Sequence, residues 1–339
     1  MIVTEAELDD VLAAPTPEVV AALGRVIGDI LVVGVAGKMG PSLARLAVRA
    51  SRDAGAHRRI IGVSRFSNPA TREALDRAGV ETICCDGFDR PAVDRLPDAP
   101  NIIYMVGRKF GTSANQPATW ATNAYLPGVV AERFAAARIV AFSTGSVYPL
   151  SAMSGGGPAE GDAVGPIGEY AAAALARERV LEFFSRRNQT PMAILRLNYA
   201  IEPRYGVLRD VADKVAARQP VDLDVGFVNV VWQRDANAIA LRALEHCASP
   251  PLVLNVTGFP AHAIRDLAAK FAQRFGVGLE LRGSEGATAP LSNASRCREL
   301  FGKMPVGIDE MIDRVAEWVA AGGRSLGLPT HFEEREGRF

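Results

Sequence analysis

The sequence predicts an α/β protein built on a doubly wound parallel sheet with a smaller C-terminal lobe. Three observations predict it. Short apolar runs of strand length alternate with helix-spaced segments from residue 29 to about residue 200. A glycine-rich turn lies directly between the first such run and the first long helix. Beyond residue 200 the alternation breaks, and residues 201–235 and 252–310 carry shorter, less regular elements.

The elements follow in order. Residues 4–27 read as two short helices broken at Pro15-Thr16-Pro17, with Thr16 placed to cap the second. Asp29–Val33 is a continuous apolar run, suited to a strand buried on both faces. Residues 39–54 show helical spacing at Leu43, Leu46, Ala47 and Ala50. Further strands are expected at Arg59–Val63, Thr82–Cys85, Asn101–Val106, Arg138–Phe142 and Met192–Leu195. Helices are expected at 69–78, 117–137 and 167–187, and later near 235–247, 262–275 and 308–321. The resulting division is a helical extension at 1–28, a nucleotide-binding domain at 29–200, a lobe at 201–330 and a loose polar tail at 331–339. The stretch 235–250 is one that can return to the first domain.

Composition narrows the function classes. Hydrophobic residues make up 48% of the 339 and charged residues 22%, so a sizeable core can be buried. Lys+Arg and Asp+Glu both number 38, and this balance argues against nucleic acid as the main partner. The four cysteines have no metal-ligand spacing, and His57, His246, His262 and His331 are scattered, so no metal is expected. Ser143 and Thr144 have no His/Asp partner of hydrolase type. The N-terminus lacks a signal-peptide pattern, and no run of about 18 apolar residues occurs. A cytoplasmic protein without a membrane span is the expectation.

The turn is Gly34-Val35-Ala36-Gly37-Lys38-Met39-Gly40, a GxxGxxG pattern. Glycine is needed there for a tight turn, for close backbone approach to a pyrophosphate and for helix–strand packing. The helix N-terminus presents N–H groups and a positive dipole end to phosphate. A Rossmann-type dinucleotide site is therefore expected, with Met39, Val106 and Gly107 also lining it. The residue closing the second strand separates NAD from NADP, since an acid there binds the ribose 2′-hydroxyl. Ser64 and Arg65 stand there instead and suit a 2′-phosphate. Lys38 is a further candidate for that phosphate. NADP is the preferred cofactor, NAD the alternative.

These residues, with several more in order, resemble the extended short-chain dehydrogenase/reductase family of nucleotide-sugar epimerases and dehydratases. Asp86 follows the third strand, where the family places an acid near the adenine amine. Asn123 matches an asparagine of the fourth helix. Phe142-Ser143-Thr144-Gly145-Ser146-Val147-Tyr148 resembles its SSxxVYG segment, and Pro166–Tyr170 the stretch carrying its tyrosine. Ile194–Asn198 and Leu254–Gly258 resemble its LRxxN and NVGSG strands. The resemblance implies Tyr170 as acid/base and Thr144 as the group holding the substrate oxygen. It also implies a sugar-like substrate and a homodimer through helices 117–137 and 167–187. Ser146, Tyr148, Asn198, Arg204 and Arg234 are candidate substrate contacts, as is Lys109.

One departure bears on mechanism. The family's YxxxK lysine is absent, because Tyr170 is followed by Ala171-Ala172-Ala173-Ala174. A free tyrosine has a pKa of about 10, so forming its phenolate at pH 7 costs about 4 kcal/mol. Uncompensated, that is roughly a thousandfold in rate. Three accounts stand at this point. Another cation, with Lys109 the best candidate beside Arg108, or the oxidised nicotinamide ring takes the lysine's place. Alternatively, the enzyme mainly reduces carbonyls and starts from protonated tyrosine. In the third account the site is catalytically weak and the protein is a cofactor-binding sensor or scaffold.

Overall fold

The computed structural model describes residues 2–112, 114–328 and 330–338. Its centre is a seven-stranded parallel sheet. The strands are β1 (Ile30–Val33), β2 (Ile60–Ser64), β3 (Glu81–Cys84), β4 (Asn101–Tyr104), β5 (Arg138–Thr144), β6 (Met192–Leu197) and β7 (Leu252–Val256). Their spatial order is β7-β6-β5-β4-β1-β2-β3. Val33 of β1 pairs with Val63 on one side and with Tyr104 on the other. The order reverses between β1 and β4, and ligands of such sheets bind beyond the strand ends at that point.

The strands form where the apolar runs predict them. Ile30, Leu31, Ile61, Ile102 and Ile103 are wholly buried, as both faces of the sheet are covered by helices. Helices α1 (Glu5–Leu12), α2 (Pro17–Arg25), α3 (Gly40–Asp53), α4 (Pro69–Arg77), α5 (Arg90–Asp94), α6 (Gln116–Trp120) and α7 (Leu126–Arg133) precede β5; α3 packs Leu43, Leu46, Ala47 and Ala50 on one face. Helix α8 (Gly168–Asn188) lies on the other face with Leu181 against Ile194 and Met192. The expected single helix at 117–137 is instead three pieces. Gln116–Trp120 and Leu126–Arg133 are α-helical, and Ala121–Tyr125 between them is a π turn. Pro127 has no N–H to offer the Asn123 carbonyl four residues back, so an unbroken α-helix cannot form there.

A second core gathers Ile201, Val207, Val211, Trp232, Phe271, Ile312 and Trp318. The lobe expected at 201–330 is interrupted, however. The helix Gln233–Arg242 packs Ala236, Ile239 and Leu241 into the sheet core, and β7 is the sheet's edge strand beside β6. The N-terminal extension fastens the two cores. Leu8 and Leu12 of helix Glu5–Leu12 enter the second core, whereas Val19 and Leu23 of Pro17–Arg25 enter the first. Thr16 sits at the N-cap of the latter helix but makes no side-chain cap bond. Thr4 caps the former reciprocally with Glu7.

The tail differs from expectation. Among its described residues, Phe332 is 1% exposed and belongs to the second core. Thr330 N–H donates to Asp210 Oδ2 at 3.0 Å, and Arg335 donates to the carbonyls of Asp224 and Thr288. No helix among the described residues is long and apolar enough to cross a membrane.

Candidate active site

The glycine turn has the geometry its residues were chosen to allow. Gly34 has a φ of +88°, and a Cβ there would lie 2.9 Å from the Val106 nitrogen. A Cβ on Gly40 would come within 2.1 Å of the Val35 carbonyl oxygen, where α3 starts against β1. Cavities open on both sides of this turn.

The larger cavity, about 580 Å³, runs over the ends of β1, β2 and β4. Ser64, Arg65, Asp86, Val106 and Gly107 line it together with Gly34 and Gly37. Asp86 is exposed and accepts the Phe88 N–H at 3.0 Å. No carboxylate follows β2 directly, because Ser64-Arg65-Phe66-Ser67 occupy that corner. The bare glycine cradle, the start of α3 and this cavity suit a dinucleotide.

The smaller cavity, about 260 Å³, lies beyond the ends of β1, β4, β5 and β6. It brings together Thr144, Ser146, Tyr170 and Asn198 with Lys38, Met39, Gly40 and Lys109. Thr144 is the last residue of β5, and its hydroxyl donates to Ser146 Oγ and accepts from Ser146 N–H, both at 3.1 Å. Tyr170 lies in the first turn of α8. Helix α8 starts at Gly168, whose φ is +81° and whose Cα is packed on Gly337 of the tail.

Arg177 also lines this cavity, and the sequence reading missed it. It is 6% exposed and sits seven residues after Tyr170 on α8, two turns on along the same face. Its Nη1 donates to the Phe142 carbonyl at 2.7 Å and its Nη2 to Asn123 Oδ1 at 2.9 Å. Its Nε donates to the Asn123 carbonyl at 3.2 Å, the carbonyl that Pro127 leaves without an α-helical donor. Ala174 occupies the position four after Tyr170. It is 1% exposed and packed with Val147 and Tyr148, leaving no place for a lysine side chain. The available signal was the seven-residue spacing, which falls on the same helix face as four.

Both lysines at the cavity are held by carbonyl oxygens. Lys38 Nζ donates to Ala200 O at 3.0 Å and stands 4.3 Å from the centre of the Tyr205 ring. Lys109 Nζ donates to Thr330 O at 3.0 Å. Burial lowers the pKa of Lys38 to about 8, with Glu202 opposing and Arg204 and Lys109 adding to the effect. Burial likewise lowers Lys109 to about 8, with Asp210 opposing. Both residues remain half-buried by area, since their side chains line open cavity.

Several expected contacts lie elsewhere. Lys38 reaches the small cavity and is absent from the lining that holds Ser64 and Arg65, so it is not placed for a 2′-phosphate. Asn123 is wholly buried and lines neither cavity. It fastens the loop after β4, accepting Arg108 N–H at 2.8 Å and donating to Arg108 O at 2.9 Å. Tyr148 is 4% exposed and bonded to Asn255, Ala159 and Arg196, so it serves the core rather than the cavity wall. Arg204 is turned to Glu202, Asp9 and Glu5. Arg234 pairs with Asp235. Asn198 does line the cavity, while its amide is committed to Asn229 and Pro290 O. Among the described residues, no cluster of His, Cys, Asp and Glu could hold a metal ion.

A seven-stranded parallel sheet with a glycine-rich turn at its switch point defines a Rossmann-type α/β protein. The chain belongs to the NAD dependent epimerase/dehydratase family, whose sequence model matches residues 30–256. Solved structures share the fold. The UDP-glucose 4-epimerase of the hyperthermophile Thermotoga maritima, solved with UDP-glucose, is 17% identical with a TM-score of 0.69, covering 87% of this chain and 99% of its own. The UDP-glucuronic acid 4-epimerase of Bacillus cereus, solved with UDP-glucuronic acid and NAD, is 15% identical with a TM-score of 0.70, covering 86% and 99%. An epimerase of Methanothermobacter thermautotrophicus is 15% identical with a TM-score of 0.70, covering 90% and 96%. No match was found among curated proteins.

Proposed function

We propose that the protein is an NAD(P)-dependent oxidoreductase or epimerase acting at an oxygen-bearing carbon of a sugar or sugar derivative. The observation that carries this is the meeting of Thr144 and Tyr170 in one cavity bordered by the glycine turn. Gly34, Gly37 and Gly40, with Val106 and Gly107, would hold the dinucleotide. Asp86 would face its adenine, and Ser64 and Arg65 a 2′-phosphate, which favours NADP. Bound NAD(P) supplies hydride acceptance and donation.

The chain's own groups move the proton. Tyr170 exchanges it with the substrate oxygen. Thr144, held by Ser146, hydrogen-bonds that oxygen and fixes its position. Arg177 is the cation in place of the lysine. A guanidinium stays charged at every working pH, so it acts as a fixed positive field and does not relay the proton itself. Asn123 keeps Arg177 in place and ties it to the loop that carries Lys109.

A Tyr170→Phe variant tests the assignment over a panel of carbonyl compounds. Turnover should be lost while NADPH affinity is kept. Turnover equal to the parent would remove Tyr170 from the mechanism.

A further inference from the structure

The loop after β4 carries an arginine whose side chain is bonded to none of the described residues. Arg108 lines the larger cavity together with Gly34, Gly37, Ser64 and Arg65. Its Nε is buried and has no hydrogen-bond partner, and the rest of its guanidinium forms no ion pair or hydrogen bond among the described residues. Arg58, Arg133 and Arg314 also have a buried nitrogen without a partner. Each of those is fastened through another nitrogen. Arg58 donates to the carbonyls of Leu23 and Val26, Arg133 to Asp98 and the Leu96 carbonyl, and Arg314 to Glu310. Arg108 is not fastened in this way. A buried charged donor with no acceptor is costly, so its persistence calls for an acceptor from outside the chain.

The backbone beneath this side chain is fixed. Asn123, wholly buried, accepts Arg108 N–H and donates to Arg108 O. Gly111 has a φ of +69°, and a Cβ there would lie 3.6 Å from Arg108 Nη2, so the loop turns back beside the guanidinium. The start of the loop lies against the glycine turn. Met105 N–H donates to Val33 O at 2.8 Å, and the Val106 nitrogen is the atom that a Cβ on Gly34 would meet. Arg108 follows Val106 by two residues. A positioned cation thus borders the cavity that the glycine turn opens into.

The turn itself offers a phosphate only N–H groups and a helix end. Met39 at the N-cap of α3 makes no side-chain bond, and Lys38 reaches the other cavity. Arg65 stands at the end of β2, the corner that meets the adenosine ribose in such folds.

We infer that Arg108 is a phosphate ligand of the dinucleotide, its guanidinium paired with the pyrophosphate over the glycine turn. The inference rests on the cofactor reading above and adds a residue to it. NAD and NADP share the pyrophosphate, so Arg108 serves both alike, whereas Arg65 discriminates between them.

The test is titration of the full chain, freed of nucleotide, with NADPH and with NADH, followed by nucleotide fluorescence. Arg108→Gln should weaken both by about tenfold or more and to a similar extent, the loss of a charge-assisted pair. Arg108→Lys keeps a point charge without the fork, so it should weaken both alike but less. Added salt should narrow the gap between the parent and Arg108→Gln. The side chain bonds nothing in the protein, so both variants should fold, which circular dichroism checks. Unchanged affinity in Arg108→Gln would overturn the inference. A loss confined to NADPH would also overturn it, placing Arg108 at the 2′-phosphate. So would a loss as large in Arg108→Lys as in Arg108→Gln, the mark of stacking on the base rather than of charge. Failure of the parent to bind either nucleotide would instead bring down the cofactor reading, and the inference with it.

Discussion

Arg177 and Tyr170 stand two turns apart on one face of α8, both lining the cavity into which Thr144 points from β5. At 1.5 Å per residue their Cα atoms are about 10 Å apart along the axis, within reach of two long side chains converging on one space. Ala174 stands four residues after Tyr170, and Arg177 lies about one turn further on along the same helix.

Arg177→Met should lower kcat at pH 7 by about tenfold to a thousandfold, the latter being the uncompensated limit. The loss should shrink at pH 10, where a phenol ionises unaided. Arg177→Lys should recover part of the rate. Rate–pH profiles check this, and an unchanged profile in Arg177→Met contradicts it. Restoring the family's lysine by Ala174→Lys should not help. It would push a long side chain against Val147 and Tyr148 and cost about 1–3 kcal/mol or more in a denaturant titration.

Lys38 should make stability depend on pH. Its pKa falls from 10.5 to about 8 on folding. Between those values the unfolded chain binds more protons, so the folded state gains stability as pH rises. At pH 7 the charge is present in both states and its burial is a net cost. Lys38→Met should therefore be more stable than the parent at pH 7, by at most about 3 kcal/mol from the size of the shift. That difference should narrow between pH 8 and 10.5. Melting curves at pH 7 and 10 read this effect, and a gap independent of pH contradicts it.

The tail should matter to stability despite its polar sequence. Phe332→Ala should cost about 3–5 kcal/mol, as for a buried aromatic ring. A loss below 1 kcal/mol would show that the tail is not docked in solution.

Much of this was legible in the chain, for reasons that differ by residue. β1, β2 and β4 announce themselves because both faces of the sheet are covered, so Ile30–Val33 and Ile102–Tyr104 are continuous apolar runs. The glycine turn is legible because steric limits at Gly34 and Gly40 admit no other residue. The tail was not legible, because Thr330 and Arg335 find their partners at Asp210, Lys109, Asp224 and Thr288, far away in sequence. Arg204 read as a substrate contact for the same reason, since Asp9 lies in the N-terminal extension. Arg177 was overlooked because the family pattern directs attention to position 174, although helical periodicity gives both positions the same face.

The surface of the same helices bears on assembly. Tyr125 is 61% exposed, Phe183 56%, Trp120 40% and Ile167 38%, an apolar set on residues 116–133, on α8 and at its N-cap. We expect this surface to be the homodimer contact. Phe183→Glu should convert the dimer to monomer in sedimentation at micromolar concentration. A parent protein that is already monomeric there contradicts it.

The glycine turn and the two cavities beside it should hold a dinucleotide. Purified, nucleotide-free protein titrated with NADPH and NADH, followed by ligand fluorescence, checks this. Saturable binding of both is expected, with NADPH tighter and Arg65→Ala weakening NADPH alone by about tenfold, the loss of one charge-assisted bond. Folded protein that binds neither would contradict it.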